Sequence, residues 1–338
     1  MDFTFMVGVI VVALAFDFFN GFHDAANAIS TIVVTRTLNP AQAVVLAGLA
    51  NFIGYFTFGT AVASTVGKGV IDIKAFPHEA LLPILAAALV GAILWNIITW
   101  LLGLPTSSSH ALIGGLAGAA LAAAGPGAVN VAGVTTIVEF LVLAPVLGWI
   151  AALILTNIVI FLARRAKPKP AARAFKYLQL LSASVYAFSH GTNDAQKTMG
   201  VIALALVAGG VSADFSLSGA NEWVVLSCYT AMAIGTMLGG WRIVKTMGTR
   251  ITKIRAMEGF CAETASSAVM LLTAHYGIPV STTHVIAGSI MGVGTVERAA
   301  GVRWVTARKI VWAWFLTIPF TGLIGALVYL LIRLLLAI

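Results

Sequence analysis

Apolar residues in this chain come in long blocks rather than alternating with polar ones. Blocks cover about 4–19, 41–64, 79–102, 134–162, 223–241, 257–275 and 306–336. A helix needs about 20 apolar residues to cross a hydrocarbon layer of roughly 30 Å, and these blocks are near or above that length. Only helices and closed barrels satisfy every backbone hydrogen bond in lipid, and the alternation of a barrel strand is absent. The pattern predicts an all-α polytopic membrane protein with about 10–12 transmembrane segments once shorter pieces are included.

Two kinds of polar interruption punctuate the blocks. Asn20-Gly21-Phe22-His23-Asp24 and His190-Gly191-Thr192-Asn193-Asp194 each read as a break between two half-helices. Gly103-Leu104-Pro105-Thr106-Ser107-Ser108-Ser109-His110 and Gly277-Ile278-Pro279-Val280-Ser281-Thr282-Thr283-His284 each place hydroxyls after a proline, which predicts a broken or re-entrant helix start with a serine cap. The aspartate motif recurs at an offset of 170 positions and the proline motif at 174. Two unlike motifs returning in order at nearly one spacing indicate two internal repeats, 1–163 and 177–338. Between them, 164–176 holds six basic residues, two prolines and no acid, as a cytoplasmic linker would.

Loop charge sets the relative orientation of the repeats. Arg242 to Arg255 carries five basic residues, whereas Lys68 and Lys74 in the matching first-half loop are offset by Asp72. Arg298, Arg303, Arg308 and Lys309 lie before or at the very start of the last block, whereas 125–133 is uncharged; conversely, the loop with Asp214 and Glu222 matches a turn with Arg36. Opposite bias in corresponding loops predicts inverted topology, with both termini extracytoplasmic; Arg333 alone runs against this.

Composition narrows the class further. With 60% hydrophobic and 9% charged residues and a mean hydropathy of +0.99, there is too little polar surface for a soluble globule. The net charge of +8 resides in short loops, so a bilayer explains it better than nucleic acid does. Cys228 and Cys261 lie in apolar blocks as packing residues. Met1-Asp2 has no basic n-region, so the first block is expected to stay in the protein.

The interruptions are also where chemistry is concentrated. A carboxylate at the bilayer centre costs about 3 kcal/mol or more unless it meets a partner or a cavity, so Asp24 and Asp194 are functional candidates, with capping of a half-helix as the plain structural alternative. Asn27 lies a turn beyond Asp24, and Asn193, Gln196 and Lys197 flank Asp194. Carboxylate, amide and lysine together suit a cation or proton beside an anion. Helix starts carrying Thr106, Ser107, Ser108 and Ser109, and Ser281, Thr282 and Thr283, suit a tetrahedral oxyanion, although hydroxyls also serve as plain caps. His23, His110, His190 and His284 read as relay or positioning residues, since no helix shows the His/Glu spacing of a zinc site. Glu263 is the best placed remaining acid for coupling, and Asp17, one turn before the first motif, reads either way.

The residues 20–28, 189–197 and the two proline motifs resemble those of the inorganic phosphate transporter (Pit) family, nearest its bacterial low-affinity branch, over about 15–295. The resemblance implies a secondary transporter that binds inorganic phosphate between inverted repeats, a cation gradient as the driving force, no cofactor, and a homodimer. It also implies that Asp24, Asn27, Asp194, Ser107 to Ser109 and Ser281 to Thr283 share one site, with sodium, if used, at Asp24, Asn27 and Asp194. Sodium-coupled eukaryotic relatives carry a glutamate where this chain has Asn51, which favours protons here. The expected activity is proton- or sodium-coupled phosphate symport at the cell membrane, with phosphate moving free or as a metal complex. Sulfate symport, an anion channel and, more remotely, a membrane hydrolase using His23-Asp24 are the alternatives.

Overall fold

The computed structural model of the chain describes residues 3–56, 61–296 and 299–336. Residues 57–60 of the predicted helix 41–64, Arg298 of the basic loop and the Met1-Asp2 start lie outside the described residues, as do the side chains of Lys68 and Lys74. The first half comprises α1 (Phe3–Val34), α2 (Pro40–Ile53), α3 (Ala61–Gly69), α4 (His78–Leu102), α5 (Ser108–Ala124) and α6 (Val131–Ala163). The second comprises α7 (Pro168–Ala208), α8 (Glu222–Leu238), α9 (Trp241–Lys245), α10 (Ala256–His275), α11 (Thr282–Thr295) and α12 (Trp304–Leu336).

Among the described residues, α1, α4, α6 and α12 are long and apolar enough to cross a membrane, and the count rises to six if each bent pair is one span. The bent pairs are α2 with α3, at 90°, and α8 with α9, at 60°. Helices α5 and α11 are short, and α7 and α10 carry the polar side chains of the interior. Exposed Val142, Ile150 and Ile154 on α6, and Leu323, Leu327 and Leu331 on α12, give these two helices apolar outer faces.

The aspartate motifs do not break their helices, contrary to the sequence expectation: α1 and α7 run through them without interruption. Gly21 and Gly191 serve close packing instead of a bend. A Cβ on Gly21 would lie 2.2 Å from the Met232 carbonyl oxygen on α8, and one on Gly191 would lie 2.7 Å from Asn51 Cα on α2. Among the polar side chains around these glycines, His23, Asp24 and Asp194 meet partners on neighbouring helices, and the helical backbone stays closed through both motifs. Helix α7 also begins at Pro168, so most of the basic stretch forms its exposed first turns, with Pro at its N-terminal positions where no N–H is missed.

Packing shows the inversion directly. Thr198, late in α7, donates to Asp17, midway along α1, whereas Gln179, early in α7, accepts from Thr35 just past the end of α1. The two helices are therefore antiparallel neighbours. Each half also reaches into the other: α5 packs on α12, and α11 packs on α6. Small residues make this close approach feasible, as in other membrane helix pairs. A Cβ on Gly118 would lie 1.9 Å from the Gly322 carbonyl oxygen, and one on its repeat equivalent Gly292 would lie 2.5 Å from that of Trp149. Buried apolar side chains fall into two clusters, one around Phe16, Leu85, Leu112 and Met199 and one around Ile29, Tyr186, Ile243 and Ile286. Polar residues of α1, α5, α7 and α11 lie between them.

Candidate functional site

The helix starts of α5 and α11 are built identically. Ser107 accepts the backbone N–H of His110 at 3.2 Å, and Ser281 accepts that of His284 at 3.2 Å. Each serine caps one otherwise orphaned donor of its first turn, leaving the neighbouring hydroxyls to face the other helices. Ser108 then donates to Asp24 Oδ2 at 3.4 Å, and Thr282 donates to Asp194 Oδ2 at 3.1 Å. Carboxylates thus sit at the positive ends of two helix dipoles, where negative charge is favoured.

The two halves are tied to each other at this point. Thr283 of the second half donates to Asp24 Oδ1 at 3.3 Å and to the Thr106 carbonyl oxygen at 3.2 Å, and accepts from Asn27 Nδ2 at 2.8 Å. In the opposite sense, Lys197 of the second half donates to Ser109 Oγ of the first at 2.5 Å, to Asp194 Oδ1 at 2.5 Å and to the Val280 carbonyl oxygen at 2.9 Å. Ligand atoms of Asp24, His190 and Asp194 all lie within 4.8 Å of one another. None of the side chains in this centre is more than 4% exposed, so it is closed on both sides.

The histidines separate into two groups. His23 contacts Asp24 Oδ1 at 2.8 Å through Nδ1 and Thr99 Oγ1 at 3.0 Å through Nε2. His190 lies 3.3 Å from Asp194 Oδ2 through Nε2 and 3.4 Å from Asn51 Oδ1 through Nδ1. His110 and His284 instead pack on each other, ring centroids 4.9 Å apart, with His284 stacked on Trp314. The first pair touches the carboxylates; the second sits behind the helix starts.

Three predicted residues stand elsewhere. The Asn193 amide donates to the Ser189 and Met270 carbonyl oxygens, tying α7 to α10. Gln196 accepts from the Val62 N–H and donates to the Thr192 carbonyl oxygen, tying α7 to α3. Glu263 forms its own buried centre, accepting from Thr31 and Ser182, each at 2.5 Å, and from Gln179 at 3.3 Å. Thr31 is two helical turns beyond Asp24, about 10 Å along α1.

Other contributors had little or no sequence signal. Thr99, three residues after Asn96 in an otherwise apolar stretch, links His23 to Thr106, and Asn51, marked in the sequence only by the glutamate of sodium-coupled relatives, links His190 to Thr236. Asp17 is fully buried against Thr198, and its position two turns before Asp24 was the available hint.

Inverted halves that close around a charged, duplicated polar centre, with apolar outer faces, have the architecture of a membrane transporter. The phosphate transporter family model matches residues 20–325. A probable low-affinity inorganic phosphate transporter of Rhizobium meliloti (strain 1021) is 48% identical over 97% of this chain and 97% of its own length. One of Bacillus subtilis (strain 168) is 42% identical over 97% and 98%. Among solved structures, a sodium-dependent phosphate transporter superposes with a TM-score of 0.89 at 23% identity, covering 98% of this chain and 99% of that one. This chain belongs to the phosphate transporter family.

Proposed function

We propose that this protein is a secondary active symporter that carries inorganic phosphate across the cell membrane together with a proton or sodium ion. The observation that carries this reading is the convergence of two capped, hydroxyl-bearing helix starts on Asp24 and Asp194 in one closed centre between inverted halves. In this reading Ser107 to Ser109 and Ser281 to Thr283 hold the oxyanion through hydroxyls and helix-start N–H groups. Asp24 and Asn27, with Asp194 close by, hold the coupling cation, and cation and anion neutralise each other in a site where neither is stable alone. His23 and His190, each touching a carboxylate, are placed to pass protons to it.

The two-sided closure supports alternating access, in which the centre opens to one face at a time as one half rocks against the other. The family and the relatives' printed names support phosphate as the substrate. The basic start of α7 supports a cytoplasmic position for the junction, which puts both termini outside.

Uptake of radiolabelled phosphate into proteoliposomes, with proton and sodium gradients imposed separately, tests the reading. Accumulation driven by one gradient and abolished by its collapse is expected. Uptake indifferent to both identifies a channel, and uptake suppressed by equimolar sulfate moves the substrate to another oxyanion.

A further inference from the structure

The repeat offsets pair Lys197 with Asn27, Val280 with Thr106, and Thr283 with Ser109. The three oxygens around the Lys197 ammonium are therefore Asp194 Oδ1, the Val280 carbonyl and Ser109 Oγ, each contributed by a repeat-related position. Their repeat counterparts are Asp24 Oδ1 and the Thr106 carbonyl of the first half and Thr283 Oγ1 of the second, and these too converge, with Thr283 Oγ1 lying 3.3 Å and 3.2 Å from the other two. The contacts beside the cages match as well: Thr282 to Asp194 Oδ2 corresponds to Ser108 to Asp24 Oδ2.

A carboxylate, a backbone carbonyl and a hydroxyl at one point are the hard oxygen donors that replace the hydration shell of an alkali cation. In the second half, the centre of that cage is occupied by the chain's own ammonium. A lysine ammonium has three N–H donors and no acceptor, and here three acceptors account for all three donors. In the first half, Asn27 supplies an amide, its Oδ1 has no hydrogen-bond partner among the described residues, and the basic group touching Asp24 is His23.

Resting on the phosphate–cation reading above, we infer that Lys197 is a tethered cation that permanently fills one of two repeat-related cation cages. The second half then contributes a fixed positive charge to the site and takes up no coupling ion. Only the Asp24 cage is left to a mobile cation, so each transport cycle carries one coupling cation fewer than a carrier with both cages free. Lys197 acts on phosphate as a nearby charge through Asp194 and Ser109, and none of its N–H groups is left over for the anion in the closed state.

Equilibrium binding of radioactive sodium to the purified full chain in detergent, alongside phosphate uptake, decides this. Wild type is expected to bind no more than one sodium ion per chain. Lys197→Asn, which recreates the Asn27 arrangement, is expected to bind one more than wild type and to show a new stimulation of phosphate uptake by sodium. Adding Asp194→Asn to that variant should remove the gained ion. Two sodium ions bound by wild type overturn the inference, as does a monodisperse Lys197→Asn protein that gains none. If Lys197→Asn does not fold, the wild-type count decides alone: two ions refute it and one or none sustains it. Failure of wild type to transport phosphate would instead count against the symport reading, because sodium binding is measured without transport.

Discussion

Thr283 at the start of α11 and Asp24 in the middle of α1 meet across the two halves, the threonine hydroxyl donating to Asp24 Oδ1 at 3.3 Å. They are separated by most of the chain, and the same hydroxyl also reaches the Thr106 carbonyl and accepts from Asn27. One small side chain thus joins the first aspartate motif to both helix starts. Thr283→Ala should leave the Asn27 amide without its acceptor and take one of three donors from Asp24, a penalty of about 1–3 kcal/mol for the buried amide left unsatisfied. Phosphate uptake is expected to fall roughly tenfold to a hundredfold on that scale, while Thr283→Ser, which keeps the hydroxyl, recovers most of it. Initial rates in proteoliposomes measure both.

Asp24→Asn keeps the size of the side chain but removes its charge. One of Ser108 and Thr283 can still donate to the remaining amide oxygen and the other can accept from the amide N–H, so the protein is expected to run as a monodisperse peak and keep its melting temperature within a few degrees. Gradient-driven phosphate uptake is expected to vanish. Wild-type accumulation by this variant would remove Asp24 from the cation site.

Glu263→Gln tests whether the separate centre below the site couples transport. Glutamine retains the volume and one acceptor oxygen for Thr31 or Ser182 but cannot exchange a proton. If Glu263 takes part in coupling, phosphate–phosphate exchange continues in this variant while accumulation against a gradient is lost. Loss of both activities to the same degree would make the role structural, since the residue ties α1, α7 and α10 together through Thr31, Ser182 and Gln179.

The capping serines give a paired prediction. Ser107→Ala and Ser281→Ala each remove one cap on a helix start, which costs about 1 kcal/mol. Because the two caps have the same geometry, the two variants should lower the melting temperature by similar amounts, and each should weaken phosphate binding. Calorimetric or fluorescence binding of phosphate provides the second readout.

Gly118→Ala should be far more damaging than its single methyl suggests. The added carbon would lie 1.9 Å from the Gly322 carbonyl oxygen on α12, and backbone cannot move aside without separating the helices. Loss of folded protein in fluorescence-detected size exclusion is expected. By contrast, nothing lies within 4 Å of a Cβ on Gly127, so Gly127→Ala should express normally.

Much of this protein is determined by sequence alone. Long apolar blocks require a helical membrane protein because lipid offers backbone groups no partners, and that holds whatever the blocks pack against. Duplication of the Asp24 and Ser107 motifs established two repeats, and loop charge set them in opposite senses. Both signals are local and survive without coordinates. Tertiary structure decided the rest. Whether Asn20 to Asp24 breaks a helix depends on what packs against it: Gly21 lies against the Met232 carbonyl of α8, Thr99 and Ser108 contact His23 and Asp24, and α1 runs straight through. Asn193 and Gln196 looked equivalent to Lys197 by proximity to Asp194, yet the helix turns them toward α10 and α3. The exchange of α5 and α11 between halves, and the enclosure of Lys197 by oxygens from both, arise from contacts between residues distant in the chain, whose geometry no spacing along it encodes.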